Sequence, residues 1–219
     1  MILFVVANAV KPILGSSFTL QRQDVRLPAF HGGLQMGVMP DSWIAAMARR
    51  QGMIRPFASN RVRHGKISFG VSSYGYDFRL ANEFKVPKFE VAKRWDPKKM
   101  DQDFWQDYRG SSCWIAPNSY LLGRSLEYFR IPREVLAICQ GKSTYARCGL
   151  IVNVTPFEPE WEGYVTVSLI NAAPIPICVY AGEGIAQVVF IGGETECATS
   201  YADRKGKYQV QKKIQIARV

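Results

Sequence analysis

Apolar and polar positions alternate most cleanly over residues 164–170, which read YVTVSLI. Val165, Val167 and Leu169 fall on one side, and Tyr164, Thr166, Ser168 and Ile170 on the other. A period of two predicts a strand with one buried apolar face and a second face of a different kind. That second face carries two small hydroxyls, so the pattern at once asks what Ser168 looks at. Other short β-prone runs follow one another from Gly65 onward: KISFGV, FKVPKFEV, SYLLGRSLEYF, VLAICQ, GLIVNV, PICVYA and GIAQVVFI. Gly, Pro, Asn and Asp separate them. Many short strands at fairly regular spacing predict a mainly β domain, a barrel or a sandwich.

Three segments do not follow this rhythm. MPDSWIAAMARRQG predicts a short helix at the start of the domain. Asp41 can cap it, Trp43, Ile44 and Met47 share a face, Arg49 and Arg50 sit in the last turn, and Gly52 can end it. WDPKKMDQDFWQDY predicts a polar loop with a helical turn. The first segment, MILFVVANAVKPILG, is apolar, but Lys11 and Pro12 interrupt it well short of a membrane span, and it lacks the basic start of a signal peptide. The expected organisation is an arm or extension over residues 1–38 and one domain over residues 39–219, with no membrane span.

Composition narrows the partners. The chain has 219 residues, is 47% hydrophobic and carries a formal charge of +10. That is enough material for one full core, and the basic balance suits an anionic partner. Nucleic acid is the weaker choice, because only the net charge and scattered aromatics speak for it. Five cysteines without a CxxC pair predict reduced thiols in a cytosol-like compartment, hence a cytoplasmic protein. The tail, RKGKYQVQKKIQIARV, holds six Lys or Arg and no acid; it is a solvated face or a reach toward an anion.

Several chemistries are excluded at the level of motifs. Neither His31 nor His64 lies in H-x-E, and there is no P-C-x-x-C, so a zinc deaminase signature is absent. No GxxxxGK[ST] loop and no GxSxG turn occurs. What remains is GKSTYAR at residues 141–147. A glycine-led turn followed by Lys142, Ser143, Thr144 and Arg147 places two cations and two hydroxyls in seven residues. Such groups suit a polyphosphate, although a polar corner between elements has the same composition.

GKSTYARCGLIVNVTPFEPEWEGYVTV, with SYGYDFRL before it and EGIAQVVF and YADRKGKY after it, closely resembles the dCTP deaminases of the trimeric dUTPase-like superfamily. The likeness runs over about residues 39–211. It implies a distorted β-barrel of β-clip or jelly-roll type with a short N-terminal helix, assembled as a homotrimer with sites between subunits. It also implies zinc-independent deamination of dCTP to dUTP, with Mg2+ carried by the triphosphate and dCTP, dUTP or dTTP as ligands. Mapped residue by residue, Lys142, Ser143 and Thr144 contact phosphates, Ser143 also lies near the reacting base, and Arg147 positions water and acid. The backbone of Thr155 and Pro156 lines the base pocket, and Glu158 stands beside the sugar. Gln187, Tyr201, Lys207 and Gln211 close over sugar and triphosphate.

The chain departs from that family in two places. After W-x-G, the family strand carries a Glu where this chain has Ser168. The family tail has Gly and paired Gln after Lys-Tyr, where this chain has Val210 and Lys213. Glu160 and Glu162 are nearby acids but do not share the strand face of Ser168. Two readings stay open on the sequence: a deaminase weakened or silenced at Ser168, and an inactive trimer that binds nucleotides or serves in an assembly.

Overall fold

The computed structural model describes residues 37–90 and 94–218. Most of the expected 1–38 arm lies outside them. The elements in chain order are β1 (Gly37–Val38), α1 (Asp41–Gln51), β2 (Ile54–Arg55), β3 (Gly70–Ser72), β4 (Gly75–Pro87), β5 (Trp105–Arg109), β6 (Ser112–Ile115), β7 (Ser119–Arg130), β8 (Val135–Gly141), α2 (Ser143–Ala146), β9 (Leu150–Asn153), β10 (Glu162–Asn171), β11 (Ile177–Tyr180) and β12 (Gly184–Gly192). The main sheet runs β1-β12-β4-β7-β10-β9, with β2 on β7, β3 and β5 on β4, and β8 on β12. β8 then returns toward β9: a Cβ on Gly141 would stand 3.2 Å from Cβ of Val152. The sheet therefore curls nearly onto itself, a distorted barrel with an unladdered seam between β8 and β9. β6 and β11 form a separate ribbon.

The alternation over 164–170 is realised in β10. Val165, Val167 and Leu169 are buried, while Tyr164, Thr166, Ser168 and Ile170 are half-buried on the outer face. Helix α1 lays Trp43, Ile44 and Met47 on the barrel, with the Trp43 ring 6.3 Å from Phe190. Gly52 ends it at φ +66, as expected. Asp41 does not cap it; Pro40 is the N-cap residue, and Asp41 Oδ1 accepts the neighbouring Ser42 N–H instead.

Two strand expectations change. The run FKVPKFEV is cut short at Pro87 and extended backward: β4 runs unbroken from Gly75 through Asn82 to Pro87. The loop around WDPKKMDQDFWQDY keeps its helical turn at Gln102–Phe104, but its end forms β5 on β4. Charge pairs across that ladder, Lys85 with Asp107 (2.7 Å) and Glu83 with Arg109 (2.9 Å), fasten a strand that hydrophobic periodicity does not announce.

The acids buried in the barrel are matched, whereas Trp105 Nε1 is buried without a hydrogen-bond partner among the described residues. β7 puts Ser125 and Glu127 on its buried face. The Glu127 carboxylate accepts from Arg79 Nε (2.7 Å), Arg79 N (2.9 Å) and Tyr76 Oη (3.3 Å). Burial pushes the Glu127 carboxyl up, and Arg79 opposes that shift. Ser125 Oγ accepts the Val165 N–H (2.8 Å) near the irregularity in the β7–β10 ladder. A second buried pair holds the corner after β8. Lys142, 7% exposed, donates through Nζ to Asp77 Oδ2 (2.7 Å) and Ser68 Oγ (3.0 Å), and Arg61 reaches the same Asp77 oxygen at 3.4 Å.

The C-terminal tail folds back along β10. Trp161 Nε1 donates to Tyr208 O (2.9 Å), and Tyr164 N–H donates to Gln211 O (2.8 Å). Gln211 Nε2 donates to Tyr164 O (2.8 Å) and to Thr166 Oγ1. Gly163 permits this approach: its φ is +151, and a Cβ there would lie 2.8 Å from Gln211 N. Val210, next to Gln211, sits at φ +54, where a β-branched residue is strained.

Val210→Gly is expected to tighten the tail by about 1 kcal/mol, at the low end of the cost of such backbone strain. Hydrogen exchange at the Tyr164 amide, which bonds Gln211 O, should slow by about fivefold. Unchanged or faster exchange contradicts strain at Val210. Lys142→Met should destabilise the fold by about 3 kcal/mol, since it leaves buried Asp77 with only Arg61. Urea unfolding measures this, and a loss under 1 kcal/mol would mean that the pair does not hold the corner.

Candidate functional site

A cavity of about 800 Å³ lies between the outer face of β10, residues 153–161 and the tail. Ser168 lines it, as do Thr155, Pro156, Glu158, Tyr201, Lys207 and Gln211. Seven residues singled out from the sequence thus meet around one space, although the first and last are 56 positions apart (211 − 155). The fold explains the meeting. Ser168 pairs with Asn153 on β9 and with Leu122 on β7, so the end of β9 hands Thr155 and Pro156 to the same wall. The tail bonds described above bring Gln211 and Lys207 to the opposite wall.

The other sequence-derived residues do not line this cavity. Lys142, Ser143, Thr144 and Arg147 form the corner between β8 and β9. Ser143, Thr144 and Arg147 are exposed there, and Arg147 Nη1 donates to Ser143 O (2.9 Å). Lys142 is not exposed: it is committed to Asp77, so its ammonium does not stand open to a phosphate as expected. Gln187 lies on β12 opposite Gln140, beside this corner, and donates through Nε2 to Ser72 Oγ (2.7 Å). Tyr145, buried within α2, accepts the Tyr180 N–H at 3.1 Å and anchors the corner to β11.

Inside the cavity the charged side chains are Glu158 and Lys207. Glu158 is 3.4 Å from Arg204, and Lys207 Nζ donates to Arg218 O (2.7 Å). Ser168 Oγ makes no hydrogen bond among the described residues. Glu160 and Glu162 turn away to Arg133 (2.7 Å) and Arg130 (2.6 Å), so neither brings a carboxylate to Ser168. The site therefore offers hydroxyls, amides and phenols, and the one acid of β10, Glu162, is turned to Arg130.

Some groups of the site were not legible in sequence. Asn153 and Tyr208 line the cavity and belong to no motif singled out above; Asn153 is found only through its register with Ser168. Arg133 does not line the cavity yet ties both walls together. Its guanidinium meets Glu160 (2.7 Å) beside the Glu158 wall, and Asp203 (2.8 Å) beside Tyr201. The Ser200 N–H and the Arg133 guanidinium hold the Asp203 carboxyl below its ordinary value. No periodicity marks such a clamp.

Known proteins resemble the whole arrangement. Residues 38–193 match the dCTP deaminase-like family. The dCTP deaminase of Gemmatimonas aurantiaca is 54% identical over 184 residues, covering 84% of this chain and 100% of that one. The dCTP deaminase of Methylococcus capsulatus is 56% identical over 180 residues, covering 80% and 96%. Among solved structures, 2'-deoxycytidine 5'-triphosphate deaminase from Agrobacterium tumefaciens superposes with a TM-score of 0.56 at 14% identity, over 72% of this chain and 48% of that one. This chain thus spans about half of that protein, and the likeness there concerns the fold. From the helix through the barrel to the tail that lines the cavity, the sequence keeps to one family: the chain belongs to the dCTP deaminases.

Proposed function

We propose that the protein binds pyrimidine deoxynucleoside triphosphates in the β10 cavity and deaminates dCTP to dUTP, slowly. The supporting observation is the company Ser168 keeps. It faces the same space as Thr155, Pro156, Glu158, Tyr201, Lys207 and Gln211, and the one carboxylate lining that space, Glu158, is paired with Arg204 and does not belong to the strand that carries Ser168. Hydrolytic deamination needs a proton taken from water as it attacks C4 of the base, and a proton given to the leaving ammonia. A serine hydroxyl can hold that water by a hydrogen bond but cannot accept its proton near neutrality. A positioned general base contributes roughly 10²–10⁴-fold, so turnover falls by that order when it is missing. The vacant role also favours a second reading, in which the assembly has kept nucleotide binding and lost turnover.

The protein assembles as a homotrimer. Within one chain none of residues 142–147 lines the cavity, and a site shared between copies would bring the corner of one chain to the cavity of the next. Cyclic closure gives three equivalent sites. Exposed Leu136 and Ile138 on β8 and Ile151 on β9 offer apolar surface beside the cavity for such a contact. Magnesium enters on the triphosphate, whose oxygens are hard donors; among the described residues no three His, Cys, Asp or Glu side chains converge to hold it. No helix among them is long and apolar enough to cross a membrane, and all five cysteines are free thiols.

Light scattering after size exclusion should give three times the 24.7 kDa chain mass. A monomer at micromolar concentration would remove the shared site. Ammonia release from dCTP should rise by roughly 10²–10⁴ in Ser168→Glu, since Glu at this position restores a positioned base. Ser168→Gln is the matched control, because it adds similar bulk without basicity; Thr166 is unsuited, as its Oγ1 holds the tail. If Ser168→Glu binds dCTP and gives no gain over Ser168→Gln, Ser168 is not the catalytic position. If the parent is already fast, another group is the base; if it binds dCTP without turnover, the binding role stands.

A further inference from the structure

The corner expected to receive phosphates has lost its obvious cation. Lys142 is buried on Asp77 and Ser68, and its charge is spent inside the fold. Cations beside the corner come instead from a hairpin that no motif pointed to, RVRHGKIS at residues 61–68. Val62 and Phe69 exchange backbone hydrogen bonds (2.9 and 3.2 Å), and Lys66 N–H donates to Arg63 O (3.2 Å) to close the tip. Gly65 supplies the left-handed position of that turn at φ +62. Glu183 Oε2 accepts the Ile67 N–H (2.9 Å), and Gly184 N–H donates to Ile67 O (3.0 Å), which fastens the hairpin to the start of β12.

Arg63 and Lys66 line one open cleft of about 730 Å³ together with Ser68 and Thr144, the second hydroxyl of GKST. Among the described residues neither Arg63 nor Lys66 forms a salt bridge. Of the acids nearby, Asp77 is paired with Lys142 and Arg61, while Glu183 lines the cleft, accepts the Ile67 N–H and keeps its charge. Two cations against one carboxylate leave the cleft net positive, and the Thr144 hydroxyl of the GKST motif opens into it. An arginine presents a planar fork suited to phosphate oxygens, and a lysine a compact point charge.

We infer that the Arg63–Lys66 hairpin tip binds the outer phosphates of the nucleotide at the Thr144 corner, while Lys142 only holds that corner in place. The inference rests on the triphosphate reading above and adds two cations to the Lys207 and Arg147 that it already names. Binding of the polyphosphate end then depends on a segment about 80 residues upstream of GKST (144 − 63 = 81).

Calorimetry on the full chain with dCTP, dCMP and inorganic tripolyphosphate, each with magnesium, tests it. The double variant Arg63→Ala/Lys66→Ala should weaken dCTP and tripolyphosphate at least tenfold, leave dCMP unchanged, and keep the parent's melting temperature. Lys142→Met should do the reverse, lowering the melting temperature more than it lowers tripolyphosphate affinity per folded molecule. Arg63→Lys should recover part of the lost affinity. If the parent binds dCTP and the double variant binds it equally well, the hairpin is not the phosphate contact and the triphosphate reading survives. Equal losses for dCMP and dCTP also overturn the hairpin assignment. If the parent binds neither dCTP nor tripolyphosphate, both readings fall.

Discussion

The hydrogen bonds between the tail and the outer face of β10 decide where the cavity is. Tyr164 exchanges backbone and side-chain bonds with Gln211, and Trp161 holds the Tyr208 carbonyl. These bonds work only because β10 cannot slide. Its inner face, Val165, Val167 and Leu169, is buried, and a one-residue slip would turn all three outward. The inner face thus sets the register of the outer one, and the outer one places the tail. Gly163 removes the side chain that would block the approach, and Arg133 holds the turn before the tail against the Glu160 segment.

Electrostatics follows a similar order. Each buried acid is matched by a cation at hydrogen-bond distance: Glu127 by Arg79 and Asp77 by Lys142. Removing one member of such a pair costs far more than the pair itself contributes, because the survivor stays desolvated. The cations left over stand at the surface, among them the 61–68 hairpin, the 147 corner and the tail.

Legibility in the sequence depended on the range of the interaction. The face assignment of β10, the buried side of α1 and its end at Gly52 follow from local periodicity and backbone freedom, and all are present. The backward reach of β4 to Gly75 and the addition of β5 were missed, since pairing energy from Lys85–Asp107 and Glu83–Arg109 leaves no periodic trace. The cavity was legible only through likeness to a family: nothing local in YADRKGKY says that it will lie beside Ser168. The pairing of Lys142 with Asp77 was not legible for a related reason. A lysine after a glycine turn looks exposed, and only the fold reveals that Asp77 waits beneath it.

Ser168 differs from its neighbours on the outer face in having no obligation to the rest of the chain. Tyr164 and Thr166 bond the tail, and changing either disturbs the architecture. Ser168 is half-buried, packs lightly and bonds nothing within the described residues. Purifying selection removes most changes because they fail to fold. At this position that filter is weak, because an exchange of the side chain breaks no hydrogen bond of the described fold. On the proposed function, one codon here changes the chemistry while the hydrogen bonds that hold the cavity stay as they are.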